Sequence, residues 1–222
     1  NDLLFRLRVL KGREPDPFYT FDFLSELHSD ESEKLLFFFL SGIPGGFDRN
    51  INPKNKNWQE LVRKLSVEYN TGLHPSYKAN KDIVQLQEEK ETLSSIISKP
   101  VTCSRQHFLK LRFPETYRNL IDLGIENDYS MGFADHTGFR AGTSSPFNFF
   151  DLCREKITSL RLWPFVIMDR TLKKYMKLDR EQSGKKLTSL IDTVFHSGGT
   201  FISLWHNDSL SNYGEWEGWR KV

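Results

Sequence analysis

Residues 35–41 read Leu35-Leu36-Phe37-Phe38-Phe39-Leu40-Ser41, and the chain then turns through Gly42-Ile43-Pro44-Gly45-Gly46. Six apolar residues that stop at a Gly/Pro cluster have the length and punctuation of a buried strand. They fall well short of the roughly 18–20 residues a membrane span needs. On the N-terminal side, Thr20 stands where an N-cap would, ahead of a helix whose apolar face is Phe21, Phe23, Leu24 and Leu27. On the C-terminal side, Trp58, Leu61, Val62 and Leu65 recur at helical spacing and lead into a short strand over 70–75. The alternation continues with a helix marked by Ile83, Leu86, Leu93 and Ile97, and a strand over 103–109. A helix with Pro114, Tyr117, Leu120 and Ile121 follows, closed by Gly124 at a C′ position. Strands are expected over 128–134 and 164–169. A late helix carries Leu187, Leu190, Ile191 and Val194, and Gly198-Gly199 opens a last strand over 200–205. Strand–helix–strand repeats with short connections mean parallel strands and crossover helices, about six strands in all. Either an open doubly wound sheet or a closed barrel satisfies that pattern. No Gly-x-Gly-x-x-Gly follows a strand and no Walker loop is present, which weighs against the nucleotide-binding versions.

The 222 residues suit one domain spanning 1–222. Lys plus Arg is 31 against 29 Asp plus Glu, a formal charge of +2. A protein held to nucleic acid by its phosphates would carry a clear basic excess, so no nucleic-acid partner is expected. The 18 Phe and 5 Trp supply enough bulk for a real core. No membrane span is present in the sequence, and no secretory signal is visible. Cys103 and Cys153 lack zinc-ribbon or Cys-x-x-Cys spacing. Two buried free thiols are favoured over one disulfide, which points to a reducing, cytoplasmic setting.

Five consecutive strand ends carry ionisable residues: His74 after 70–75, Arg105 and His107 on 103–109, Asp135 after 128–134, Asp169 after 164–169, and His206 after 200–205. In a barrel, functional residues gather at the C-terminal ends of strands. His74 and His206 are the sharpest pair, as metal ligands, as groups that titrate near neutrality, or as hydrogen-bonded strand-end histidines. Arg105 can stabilise a carboxylate or a developing oxyanion, or form a structural ion pair. Asp135 and Asp169 can be a base and its charge partner, or cap the next helix. His107, two residues from Arg105 on the same strand face, can be a second ligand or a core histidine. Trp205 can stack on a sugar or pack in the core. Trp216, Trp219 and Arg220 in the tail fit packing better than a substrate wall.

At His74, Arg105 and Ser203-Leu204-Trp205-His206 the pattern resembles the polysaccharide deacetylase superfamily, NodB-like, carbohydrate esterase family four. It is most similar to a bacterial branch with His-Pro-Ser-Tyr at 74–77, Ser-Arg-Gln-His-Phe-Leu at 104–109, Asp-Tyr-Ser-Met-Gly at 128–132 and Gly-Phe-Arg-Ala-Gly at 138–142. The likeness covers about residues 35 to 210. It implies a distorted (β/α) barrel of about seven strands and removal of acetyl groups from an amino sugar or polysaccharide. It also implies a divalent metal, zinc, held by one Asp and two His. By the resemblance, His74 is the first histidine of the metal motif, Arg105 positions the catalytic aspartate, Asp135 falls near the fourth-motif acid, and His206 is the general acid. His107 is then an expected second ligand. Tyr77, Arg140, Asp169 and Trp205 are expected to meet the carbohydrate.

Two departures stand out. The usual second histidine, four residues after the first, is Lys78, which cannot replace a neutral imidazole without a large pKa shift. Thr20-Phe21-Asp22-Phe23 looks like the aspartate motif that ends the family's first strand, but its spacing is helical and Phe23 replaces the second aspartate. The first strand is therefore expected before residue 1, leaving the barrel N-terminally incomplete. Two rival readings follow: a catalytically inactive carbohydrate-binding barrel that lost its metal, and a hydrolase of other small C–N bonds.

Overall fold

In the computed structural model, which describes residues 2–28 and 34–222, the run Leu36–Phe39 is a strand paired in parallel with Asn70–Leu73, Phe39 lying beside Leu73. In chain order the elements are α1 (Asp2–Leu10), α2 (Phe21–Leu27), β1 (Leu36–Phe39), α3 (Lys56–Glu68), β2 (Asn70–Leu73), α4 (Ile83–Ile97), β3 (Cys103–Ser104), α5 (Glu115–Asp122), β4 (Asn127–Asp128), β5 (Phe147–Asp151), β6 (Lys156–Leu162), β7 (Ile167–Met168), α6 (Arg180–His196) and β8 (Ser203–Leu204). β1 to β4 and β6 are parallel in the order β1-β2-β3-β4-β6, and β5 adds antiparallel at the edge. β7 and β8 form a separate parallel pair.

The expected barrel is corrected here. Among the described strands the ladder does not close, because β5 occupies the outer edge of β6 and β7 pairs as a strand only with β8. A backbone bond links the two sheets' surroundings, from Phe165 N–H to Met131 O at 3.3 Å, and another, from Val166 N–H to Ile202 O at 3.0 Å, extends the β7–β8 pair.

Local chemistry explains the helices. Asn55 caps α3 by accepting from the Trp58 N–H, and α3 buries Val62 and Leu65. Asp82 caps α4 by accepting from the Val84 and Gln85 amides, and α4 buries Leu86, Leu93, Ile96 and Ile97. Gly124, at φ +73°, ends the α5 region as expected. α6 opens on a reciprocal Asp179–Gln182 capping box. Thr20 precedes α2 as expected but does not cap it, because its hydroxyl bonds Asn207 instead. These helices and the six-stranded sheet enclose the main core around Val62, Leu73, Leu93, Leu120 and Leu162. A second core of Val166, Ile167, Leu172 and Leu187 includes Trp216 and Trp219, which settles the tail tryptophans as packing.

All six expected strands are shorter than the sequence suggested. The run 103–109 stops at Ser104 and then coils through a short 3-10 turn over His107–Leu109, so Arg105 and His107 do not share a strand face. The hairpin β5–β6 was not expected from the sequence, although Phe149 and Asp151 and then Leu160 and Leu162 bury alternate positions. Both cysteines are free, but the expectation of buried thiols is corrected: Cys103 is half-buried and Cys153 exposed. No helix among the described residues is long and apolar enough to cross a membrane.

Candidate active site

Parallel register brings the site together. His74 follows the last residue of β2 and Arg105 the last of β3, and Leu73 lies directly beside Ser104. The His74 N–H donates to Phe39 O, and the Arg105 N–H to Leu73 O, each at 2.9 Å, so the ladder continues one step into the functional residues. On the smaller sheet Met168 lies beside Leu204, which places Asp169 and His206 just past paired strand ends.

Three imidazoles have their Nδ1 atoms committed. His74 Nδ1 lies 2.5 Å from the Arg105 carbonyl oxygen. His107 Nδ1 lies 2.7 Å from Asp48 Oδ1, and His206 Nδ1 lies 2.7 Å from Asp169 Oδ1. Each of these partners can only accept, so Nδ1 carries the proton and Nε2 is left as the working atom. The His74 and His107 rings lie 4.8 Å apart, centre to centre. Burial, and then the charge of Arg105, hold His74 well below the ordinary histidine range, and burial lowers His107 despite its Asp48 bond. Charge on His206 also opposes protonation of both, so the three rings share one electrostatic neighbourhood.

Arg105 sits between them. Its Nη2 is 3.5 Å from His74 Nε2, its guanidinium stacks 5.2 Å from the Phe38 ring centre, and its Nε has no hydrogen-bond partner among the described residues. Burial lowers it from 12.5 to about 10, which leaves it a cation at neutral pH.

Asp169 is buried and takes four donors: the His206 amide and Nδ1, the Arg170 amide, and the Ser209 hydroxyl. Burial alone would raise its pKa, but the bonds from His206 and Ser209 together hold it below the usual carboxylate range. Asp169 was expected to meet the carbohydrate; in the structure its oxygens are bonded to the His206, Arg170 and Ser209 donors.

Several supporting residues escaped the sequence reading. Asp48 accepts from the Tyr77 amide at 2.9 Å as well as from His107. It is delivered by a tight turn bridging Gly45 and Asp48, in which Gly46 has φ +59°. The buried Glu89 carboxylate accepts from the Ser76 amide at 2.7 Å and fastens the turn after His74. A Cβ at Gly42 would lie 2.5 Å from Glu89 Oε1, so any larger residue there would have to displace the Glu89 carboxylate. Asp128 accepts from Ser104 Oγ, Ser130 N and Ser130 Oγ, and Ser130 Oγ in turn receives the Gln106 amide. The available signals were the Gly-Gly-Phe-Asp turn for Asp48 and the Asp-x-Ser spacing for Asp128.

The remaining expectations scatter. Asp135 is 67% exposed in its side chain and pairs with His136, with no bond to the three histidines. Arg140 is exposed and donates to Leu109 O at 3.3 Å. Trp205 is half-buried against the second core and donates to Ser203 Oγ. Lys78 is 75% exposed and faces Asp82 at 3.9 Å, so it does not fill the place of an imidazole. Among the described residues no group of three His, Cys, Asp or Glu side chains comes together as a metal site. His74 and His107 have Nδ1 pinned and so present Nε2, the atom a metal would take, but His74 Nε2 faces Arg105 Nη2 at 3.5 Å and the pair does not make a complete ligand set.

No family model matches the sequence, and no curated protein matches it. The structure is similar to a crystal structure from Mycobacterium smegmatis described as a "putative polysaccharide deacetylase", with a TM-score of 0.61 at 10% identity, over 93% of this chain and 70% of that one. At that identity the likeness is one of fold.

Proposed function

We propose that the protein is a hydrolase that removes acetyl groups from an acetylated amino sugar or polysaccharide. The observation that carries this is the pairing of a proton-transfer group, His206 on buried Asp169, with two neutral imidazoles, His74 and His107, in one electrostatic neighbourhood at the C-terminal ends of parallel strands. The deacetylase-like fold supports the same reading.

His74 and His107 would hold a divalent ion, zinc, through Nε2. When bound, such an ion lowers the pKa of its water to about 7 and polarises the acetyl carbonyl. The carboxylates bonded to the histidines do other work. Asp48 orients His107 and Asp169 orients His206, so neither is the base. By the resemblance that base is an aspartate positioned by Arg105, and the open Nε of Arg105 suits it. As the base takes the proton of the attacking water and its oxygen bonds the acetyl carbon, His206 in its imidazolium form would give the Nε2 proton to the leaving nitrogen or oxygen as the C–N or C–O bond breaks, and would be left neutral with its proton on Nδ1. Asp169 keeps the Nδ1 proton in place and balances the imidazolium charge. Asp135 has no part in this scheme. Tyr77 remains a proposed sugar contact.

The test is acetate release from N-acetylglucosamine oligomers by the full-length, zinc-loaded protein. His206→Ala is expected to lose hydrolysis while keeping its circular dichroism spectrum and its zinc. Full activity in that variant would overturn the reading.

A further inference from the structure

We propose that Phe47, Tyr77 and Phe108 form a stacking subsite for a pyranose ring of a glycan chain, adjoining the sugar that carries the acetyl group. This rests on the carbohydrate reading above and adds to it that the substrate is a chain rather than a single sugar.

Three consecutive loops build the cluster. Phe47 comes from the loop after β1, Tyr77 from the turn after β2, and Phe108 from the turn after β3. Ring centres are 4.5 Å apart for Phe47–Tyr77, 5.7 Å for Tyr77–Phe108 and 6.0 Å for Phe47–Phe108. Such a cluster would ordinarily fold inward, yet Phe47 is 62% and Phe108 59% exposed. The backbone is distorted to hold Phe108 there. Phe108 and Leu109 have φ of +55° and +52°, a left-handed conformation that neither side chain favours. Arg140 braces the turn by donating to Leu109 O. Strain held in place around an outward-facing aromatic points to a ligand for that ring.

The rim names the ligand's chemistry. Lys110 Nζ sits 3.9 Å over the Tyr77 ring centre, and the Arg140 guanidinium lies beside the Phe108–Leu109 turn. An apolar ligand would offer no acceptor to the Lys110 ammonium or to the Arg140 donors that Leu109 O does not use. A pyranose has a C–H face for the aromatic rings and hydroxyls at its edge for the cations. The Phe108 ring is 4.4 Å from the His107 ring, so a sugar stacked here adjoins the reacting position without occupying it.

The test is calorimetry on the full-length protein with the N-acetylglucosamine pentamer and the monomer, in wild type, Phe47→Ala, Phe108→Ala and Phe108→Trp. The two alanine variants change exposed side chains on different loops, so their folding is checked by circular dichroism. Each is expected to weaken pentamer binding about tenfold, with a smaller loss for the monomer, and Phe108→Trp to restore it. Pentamer affinity within about twofold of wild type in both alanine variants would overturn the subsite, as would a wild type that does not bind the pentamer. Binding that is lost in the variants while the wild type releases no acetate would leave the subsite standing and remove the deacetylase reading. Acetate release with binding unaffected in the variants would do the reverse.

Discussion

His74 leaves the end of β2 in the six-stranded sheet with Nδ1 on a backbone carbonyl, whereas His206 leaves the end of β8 in the two-stranded sheet with Nδ1 on a carboxylate. Both arrangements fix a tautomer, but their electrostatics differ. A carbonyl brings no charge to balance an imidazolium, and burial and Arg105 oppose one further, so His74 is kept as a lone-pair donor. Asp169 instead sets a full negative charge against the His206 ring. The packing differs too. The larger sheet packs on α3, α4 and α5, while the smaller one packs on α6 and the Trp216–Trp219 tail and is tied by the bonds that converge on Asp169. In the function proposed above, one end of the molecule would hold a ligand still and the other would move a proton.

Four experiments would break or sharpen that contrast. The largest expected effect is at the proton-moving end: His206→Ala should lower kcat for acetate release by about 10²–10⁴-fold, the usual worth of a positioned acid. A tenfold-or-smaller loss, measured by steady-state kinetics on folded protein, would remove the distinction between the two histidines.

The second compares two buried carboxylates. Asp169 is held low by His206, whereas burial, only partly offset by Ser104 and Ser130, raises Asp128 to about 6 from 3.8. A carboxyl raised by folding adds stability in its protonated form, so that contribution is present below pH 4 and lost as pH rises through about 6. Measured against Asp128→Asn by urea unfolding, wild type should therefore lose about 2 kcal/mol of relative stability between pH 4 and 7, some tens-fold in the folding constant. A stability difference that does not change with pH would show that Asp128 titrates normally.

The third probes the ligand-holding end. Asp48→Asn should weaken zinc affinity by about 10–100-fold, because the partner that orients His107 and fixes its tautomer becomes neutral. Competition with a chromogenic chelator reads this directly, and unchanged affinity would exclude His107 from the ligand set. The smallest effect is expected at Lys78. Its ammonium faces solvent and Asp82, so Lys78→Ala should change zinc affinity and kcat by less than about twofold. A large change would mean that this lysine reaches the site after all.

Particular residues show how far the sequence could be read. The run Leu35–Leu40 and the caps at Asn55 and Asp82 carry local signals, and the strand–helix alternation from residue 35 to 124 is reproduced with ends shifted by a few residues. His74, Arg105, Asp169 and His206 were legible as strand-end residues because parallel topology sends such positions to one rim. The strand over 103–109 was overextended because propensity does not register that Gln106 and Leu109 leave the ladder for Ser130 and a left-handed turn. Thr20 failed as a cap because a residue 187 positions later claims its hydroxyl.

What the sequence determined by itself is the set of apolar periods and turn signals that make a mostly parallel α/β chain, and the residue types available at its strand ends. Hydrophobic burial at fixed spacing is a local property, so it is written locally. Tertiary structure decided that the described strands split into two sheets, that Asp169 bonds His206, that Asp48 reaches across to His107, and that Lys78 points to solvent and Asp82. Each of those depends on which side chain, often dozens of residues distant, arrives within about 3 Å to satisfy a buried donor or charge, and no local pattern specifies that partner.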